Sequence, residues 1–213
     1  MSETTIRVTI NGKATEVPEG TSVLAAAMAM GTFIPTLCYH QRLEPYGACR
    51  ICQVELTPAE KETPLMVTAC THPLNDGDRV QTESEAILQA RRFILQLLLA
   101  RSPQAKAVKA LADRYDVEIT PESADPFQAY LGEKTRKRME AAGEEGLTRC
   151  MLCGLCTRVC REVVGREGVS LVSRGPKRRV RTPFNGISPS CIGCGACAYI
   201  CPNDAITIER ASE

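Results

Sequence analysis

The chain has 213 residues, enough for one or two domains, and a net charge of +1, too small a field to gather a polyanion. No apolar run reaches the roughly 18 residues of a membrane-spanning helix, so no transmembrane segment is expected. Aromatic residues are only 4%, tryptophan is absent and cysteines number 12, so something other than side chains is expected to fill part of the interior.

The opening stretch "TIRVTINGKATEVPEG" alternates Ile6, Val8 and Ile10 with polar residues and then meets Asn11-Gly12. That dipeptide favours a tight turn with two positive φ angles, so two antiparallel strands are predicted. "TSVLAAAMAMG" reads as a helix with Thr21 or Ser22 as N-cap and Gly31 as stop. "ICQVEL" and "DRVQTE" read as further strands, which gives the element order of a β-grasp sheet clasping one helix. Residues 83–146 contain no cysteine and read as helical. Thr82 and Glu85 have the spacing of a capping box, Ser102-Pro103 predicts a helix start with Pro in its first position, and Asp125-Pro126 predicts another. Residues 147–213 form an internal repeat, with "VSLVSRGPKRRVRTPFNGIS" between its halves predicting a basic hairpin and "AITIE" a short closing strand. The fold class expected is α+β, with domains at 1–82 and 147–213 joined by a helical spacer at 83–146.

The N-terminal "MSETTIRVTING" has no secretory signature, so a reducing, cytoplasmic setting is expected and clustered thiols are read as ligands rather than disulfides. Soft thiolates select iron–sulfur groups, zinc or copper(I). "CIGCGACAYICP" matches C-x2-C-x2-C-x3-C-P, the run in which the fourth cysteine serves the other cluster of a pair. "CMLCGLCTRVC" matches except that Arg161 replaces the proline. Three cysteines at steps of three wrap one loop, and the fourth points away from it. A crossed assignment of two [4Fe–4S] clusters follows. One takes Cys150, Cys153, Cys156 and Cys201; the other takes Cys160, Cys191, Cys194 and Cys197. Gly154, Gly193 and Gly195 suit loops whose N–H groups approach sulfide. Cys38, Cys49, Cys52 and Cys70 are spaced C-x10-C-x2-C-x17-C; on a β-grasp pattern they favour one [2Fe–2S] cluster, although the first gap is longer than the plant-type C-x4-C. Structural zinc is the alternative for either region.

"PTLCYHQRLEPYGACRICQVEL" with "ACTHPLNDGDRV" resembles the N-terminal [2Fe–2S] domain of the large iron–sulfur subunit of respiratory complex I. It is similar also to small iron–sulfur subunits of NAD-reducing hydrogenases and NAD-linked formate dehydrogenases. The two combs resemble the dicluster module that follows in several of those proteins. Many such relatives carry an additional cubane bound by one histidine and three cysteines, and residues 83–146 hold neither residue type, so three clusters are expected. The resemblance implies an electron relay between a flavoprotein subunit that handles NAD(P)H and a second catalytic redox subunit. The departure favours a smaller soluble complex, electron bifurcation being one form of it. Relatives with a catalytic domain continue far beyond this length, so that domain is expected on another polypeptide. A freestanding ferredoxin and a zinc-structured scaffold are the alternatives.

The remaining candidates read as ordinary surface. His40 and His72 follow predicted ligands by two residues and are expected to be loop residues. "RGPKRRVR" has no interleaved aromatics, so nucleic acid is not expected there; a docking surface for an acidic protein or a solvated hairpin fits it. Asp113, Asp116 and Glu118 read as solvated, and no glycine-rich nucleotide loop is present.

Overall fold

The computed structural model describes residues 4–140, 148–186 and 188–208. By packing, residues 1–39 and 45–94 form one compact unit, and residues 40–44 and 95–213 form another. The mixed sheet and flanking helices make the chain α+β.

In the first unit, β1 (Thr5–Ile10) and β2 (Lys13–Pro18) form the expected hairpin. Asn11 at φ 50° and Gly12 at φ 78° supply the left-handed pair its turn requires. Helix α1 (Val23–Ala29) starts where Ser22 Oγ accepts the Ala25 N–H at 3.2 Å, and Gly31 follows its end at φ 71°. Next come β3 (Gln53–Thr57), β4 (Leu65–Thr68) and β5 (Arg79–Gln81). The sheet order is β2-β1-β5-β3-β4, with β1 parallel to β5 and the other neighbours antiparallel. Period-2 alternation turns Ile6, Val8 and Ile10 inward, where they join Val54, Leu56 and Val80. Across from them α1 buries Val23, Leu24, Ala26 and Ala27, and the same core takes in Cys52 and Cys70.

Strand β4 is not among the sequence expectations, because "LMVT" is short and leaves Leu65 and Met66 exposed. The capping box is corrected as well. Helix α2 (Glu85–Arg101) is capped by Ser84, whose Oγ accepts the Ile87 N–H at 3.3 Å. Thr82 is instead buried, and its N–H and Oγ1 meet the side-chain amide of Asn11 at 2.9 and 2.8 Å. Arg91 is fully buried and donates to the Gln53 carbonyl at 2.9 Å at the start of β3, whereas its neighbour Arg92 is exposed.

In the second unit, α3 (Lys106–Arg114) starts later than Ser102-Pro103 predicts, because Pro103 and Gln104 are spent on a turn. Ala105, the N-cap, has no side chain to cap with; Asn203 Oδ1 accepts the Ala107 N–H at 2.9 Å instead. Helix α4 (Pro126–Glu140) starts as expected, with Asp125 Oδ1 accepting the Gln128 N–H at 2.8 Å. Gly132 lies against the backbone of Thr120 and Pro121, where an added Cβ would approach to 2.2 Å, so only glycine permits that packing.

The repeat supplies α5 (Leu155–Arg158), one π-helical turn at Val159–Val163, a hairpin of β6 (Ser170–Val172) with β7 (Arg179–Arg181), and α6 (Ala196–Tyr199). Leu43, Leu155 and Val159 form a small core with Cys153, Ala196 and Ile200 packed against it. The expected closing strand is not formed at 205–208, and Glu209 lies outside the described residues. No described helix is long and apolar enough to cross a membrane.

Asn11→Ala removes both bonds to buried Thr82 and leaves alanine at positive φ. Thermal and denaturant unfolding should register a loss of about 2–3 kcal/mol, and Asn11→Gly should lose less, because it keeps the turn geometry.

Candidate iron–sulfur sites

In the first unit the loops flanking β3 and β4 bring Cys38, Cys49, Cys52 and Cys70 together, with Cys38, Cys52 and Cys70 buried and Cys49 partly so. The Cys49 N–H points at Cys38 Sγ at 3.5 Å, and the sulfurs of Cys52 and Cys70 lie 3.5 Å apart. Two thiolates about 2.3 Å from one tetrahedral metal would be about 3.8 Å apart, so Cys52 and Cys70 have the spacing of ligands to a single atom. The loop reaches this shape through Gly47 at φ 62° and Arg50 at φ 61°, the latter tied to Thr68 Oγ1 at 2.6 Å. Hydrogen bonding to Cys38 and burial push the Cys49 thiol well up. Cys70 does the same for Cys52, while the Cys70 thiol itself is lowered by the bond from Cys52. A positive ion or cluster would be needed to bring all four to thiolate. The neighbouring histidines are loop residues: His40 Nδ1 accepts the Arg42 N–H at 3.2 Å, and the His72 carbonyl accepts the Val23 N–H at 3.0 Å.

In the second unit both combs use one backbone recipe. Leu152 and Gly154 in the first, at φ 60° and 76°, match Gly193 and Gly195 in the second, at φ 68° and 77°. Leu152 thus holds a conformation that its counterpart reaches as glycine, a role its residue type does not announce. Each comb then enters a short helix that carries its third cysteine, Cys156 in α5 and Cys197 in α6. The fourth follows at Cys160 in the π turn and at Cys201 just past α6.

The helices exchange these last cysteines. One pocket is lined by Cys150, Cys153, Cys156 and Cys201, and another by Cys160, Cys191, Cys194 and Cys197. Burial, with the neighbouring Cys153, Cys150 and Cys201, pushes the Cys156 thiol up to about 12. Burial also raises Cys150, and it raises Cys197 with help from Cys160 and Cys194. The exchanged sulfurs each accept a backbone N–H at 3.3 Å, Cys160 from Gly168 and Cys201 from Ala205. Gly168 also lies against Cys191, whose Cβ would be 3.3 Å from an added methyl group. Among the described residues, no three His, Cys, Asp or Glu side chains converge to hold a single metal ion; the sulfurs of the second unit ring their pockets instead.

Residues 3–85 match the family of 2Fe-2S iron-sulfur cluster binding domains, and residues 189–207 match 4Fe-4S binding domains. The chain is 31% identical over 205 residues to the NADPH-Fe(3+) oxidoreductase subunit alpha of Geobacter sulfurreducens, covering 94% of this chain and 24% of that protein. It is 32% identical over 218 residues to the NADP-reducing hydrogenase subunit HndD of Solidesulfovibrio fructosivorans, covering 94% of this chain and 36% of that one. It is 27% identical over 206 residues to the NADH-ubiquinone oxidoreductase 75 kDa subunit of Reclinomonas americana, covering 95% of this chain and 29% of that one. The chain thus spans about a quarter to a third of the length of these relatives. Among solved structures it is similar to a chain of the NAD+-reducing [NiFe]-hydrogenase in the H2-reduced state, with a TM-score of 0.67 and 25% identity, covering 94% of this chain and 86% of that one.

One feature of the second unit carries no motif. Residues 40–44, from the long gap between Cys38 and Cys49, pack with this unit and are held there by an ion pair whose arginine is buried. Arg158, 6% exposed at its side chain, donates through Nε to Glu162 Oε1 at 3.2 Å and through Nη2 to the Glu44 carbonyl. The Glu44 N–H in turn donates to Glu162 Oε2 at 3.0 Å. Burial pushes Glu162 up, but the Glu44 N–H and the Arg158 and Arg161 guanidinium groups outweigh it and hold its carboxyl below the usual range.

Arg158→Ala takes the buried guanidinium away from both Glu162 and the Glu44 carbonyl and should cost about 1–2 kcal/mol. Arg158→Lys should not restore it, because the compact ammonium lacks the planar, spread fork with which the guanidinium reaches Glu162 and the Glu44 carbonyl from separate nitrogens. Faster hydrogen exchange at the Glu44 amide is the local readout. A depressed carboxylate stabilises the fold above its unfolded pKa and ceases to do so as pH falls. The difference between wild type and variant should therefore shrink below about pH 4.

Proposed function

We propose that the chain is an iron–sulfur relay with three clusters: one [2Fe–2S] on Cys38, Cys49, Cys52 and Cys70, and two [4Fe–4S] on the crossed cysteine sets. The observation that carries the reading is the exchange of Cys160 and Cys201 between the combs. Four soft donors around each pocket, with backbone N–H groups aimed at sulfur, fit an iron–sulfur group. Sulfurs ringing a pocket suit a polynuclear group, whose ligands bind different irons, better than one zinc ion. When bound, such clusters accept and return single electrons. The protein's own part is to desolvate the thiolates, fix their directions through the left-handed loop residues, and supply hydrogen bonds to sulfur.

On this reading the segment at 83–146 is a helical spacer that connects the cluster domains at 1–82 and 147–213 and carries no ligand. The named activities of the relatives all involve a nicotinamide nucleotide or its oxidoreductase. That supports a place between a flavoprotein subunit handling NAD(P)H and a second catalytic redox subunit, in a complex of the hydrogenase, formate dehydrogenase or electron-bifurcating type, within the cytoplasm.

The assignment is tested by single serine variants of anaerobically purified protein, followed by iron and sulfide analysis and EPR. Wild type should carry about ten of each inorganic atom per chain. Cys201→Ser should remove the same cubane signal as Cys153→Ser, with about four fewer irons, and leave the [2Fe–2S] signal intact. A Cys201→Ser protein that instead matches Cys194→Ser would overturn the crossed assignment, and zinc without sulfide would overturn the relay.

A further inference from the structure

The basic stretch after β6 has a place at the first cubane site. The pocket that gathers Cys150, Cys153, Cys156 and Cys201 is also lined by Arg101, Arg178, Arg179 and Arg181. The other pocket has Arg166 as its arginine, and two of its cysteines, Cys191 and Cys194, are exposed to water. Arg101 comes from the last turn of α2, and Arg179 and Arg181 from β7. Arg101 Nη2 donates to the Arg178 carbonyl at 2.6 Å, which fastens the helix end to the hairpin. The hairpin is therefore part of the wall of this site and not only a solvated surface.

Reduction adds one negative charge to a group already made anionic by four thiolates. Water can support that charge beside Cys191 and Cys194. Cys156, in contrast, is only 7% exposed, and burial disfavours the added charge unless cations stand close by. Resting on the cluster reading above, we propose that Arg101, Arg178, Arg179 and Arg181 form a cationic rim that raises the reduction potential of the cubane at Cys150, Cys153, Cys156 and Cys201.

The test is a redox titration of the full chain, loaded with its clusters and followed by EPR, for wild type, Arg101→Gln, Arg101→Lys and Arg181→Gln. The signal lost in Cys201→Ser identifies the cubane concerned. Arg101→Gln should weaken its reduction by about tenfold, which is about 59 mV for a one-electron couple, and Arg181→Gln should move it in the same direction. Arg101→Lys should stay near wild type, and the other two clusters should not move. The inference is overturned if Arg101→Gln and Arg101→Lys shift the potential equally, if neither glutamine variant shifts it, or if all three clusters shift together. Should Arg101→Gln lose the cubane, Arg181→Gln carries the same test. Iron and sulfide analysis separates the two levels: wild type without clusters overturns the relay, whereas loaded variants with unshifted potentials overturn only the rim.

Discussion

The structure turns on the cost of crowding thiols. A lone buried cysteine is an ordinary small apolar residue, but several facing one another cannot all ionise without a cation among them. Cys49, Cys52, Cys150, Cys156 and Cys197 all have raised thiol pKa values for that reason, through burial and through one another. A chain that gathers sulfur this way needs rigid surroundings to keep the groups together, and each unit supplies them differently. The first sets Cys52 and Cys70 in the hydrophobic core of a sheet whose order places β5 between β1 and β3. The second has little sheet, and relies on short helices packed on Leu43, Leu155 and Val159.

That economy explains why so much of the second unit is bracing. The corner between α2 and α3 is bonded to the first comb from both sides. Ser102 Oγ donates to the Cys150 carbonyl at 2.9 Å, and the Gln104 N–H donates to the Thr148 carbonyl at 3.0 Å. Asn203, two residues after Cys201, is 1% exposed and caps α3, and its neighbour Asp204 pairs with Lys106 at the same helix start. The buried asparagine is the stronger element, since the Lys106 pair is exposed and such pairs contribute little. The helices thus hold the two ends of one cysteine set, Cys150 and Cys201, although they contribute no ligand.

What the sequence disclosed follows the range of the interaction. Asn11-Gly12, Ser22, Gly31 and Asp125 act within a few residues, and each does in the structure what its local chemistry predicts. The comb spacing was equally legible, because steps of three and four are set by the loop and helix that follow. The exchange of Cys160 and Cys201 into opposite pockets is long-range, yet the repeat itself encodes it. Where local signals went astray, a distant partner had taken the residue. Thr82 has the spacing of a helix cap but is claimed by Asn11, and Pro103 is used in the turn that presents Ser102 to Cys150. Nothing near Arg158 or Glu162 announces that Glu44 is their target, and although the comb aligns Leu152 with Gly193, a leucine does not announce the left-handed conformation it holds there.

The repeat is similar in sequence but not in surroundings, and that difference is where chemistry can be adjusted. Cys160 lies in a π turn, and the N–H that returns to its sulfur comes from Gly168, eight positions on; for Cys201 it comes from Ala205, only four positions on. The longer excursion occurs where Arg161 stands in place of the proline after Cys201, and it carries Glu162 into the Arg158 pair. Proline at position 161 would remove a backbone N–H and fix φ within a helical turn, which the π-helical backbone would not easily absorb. One comb therefore gives up the usual residue to hold a loop, while the other keeps it and holds a helix. Two equivalent sets of four sulfurs come to sit in unlike fields: one walled by arginines, the other open to water.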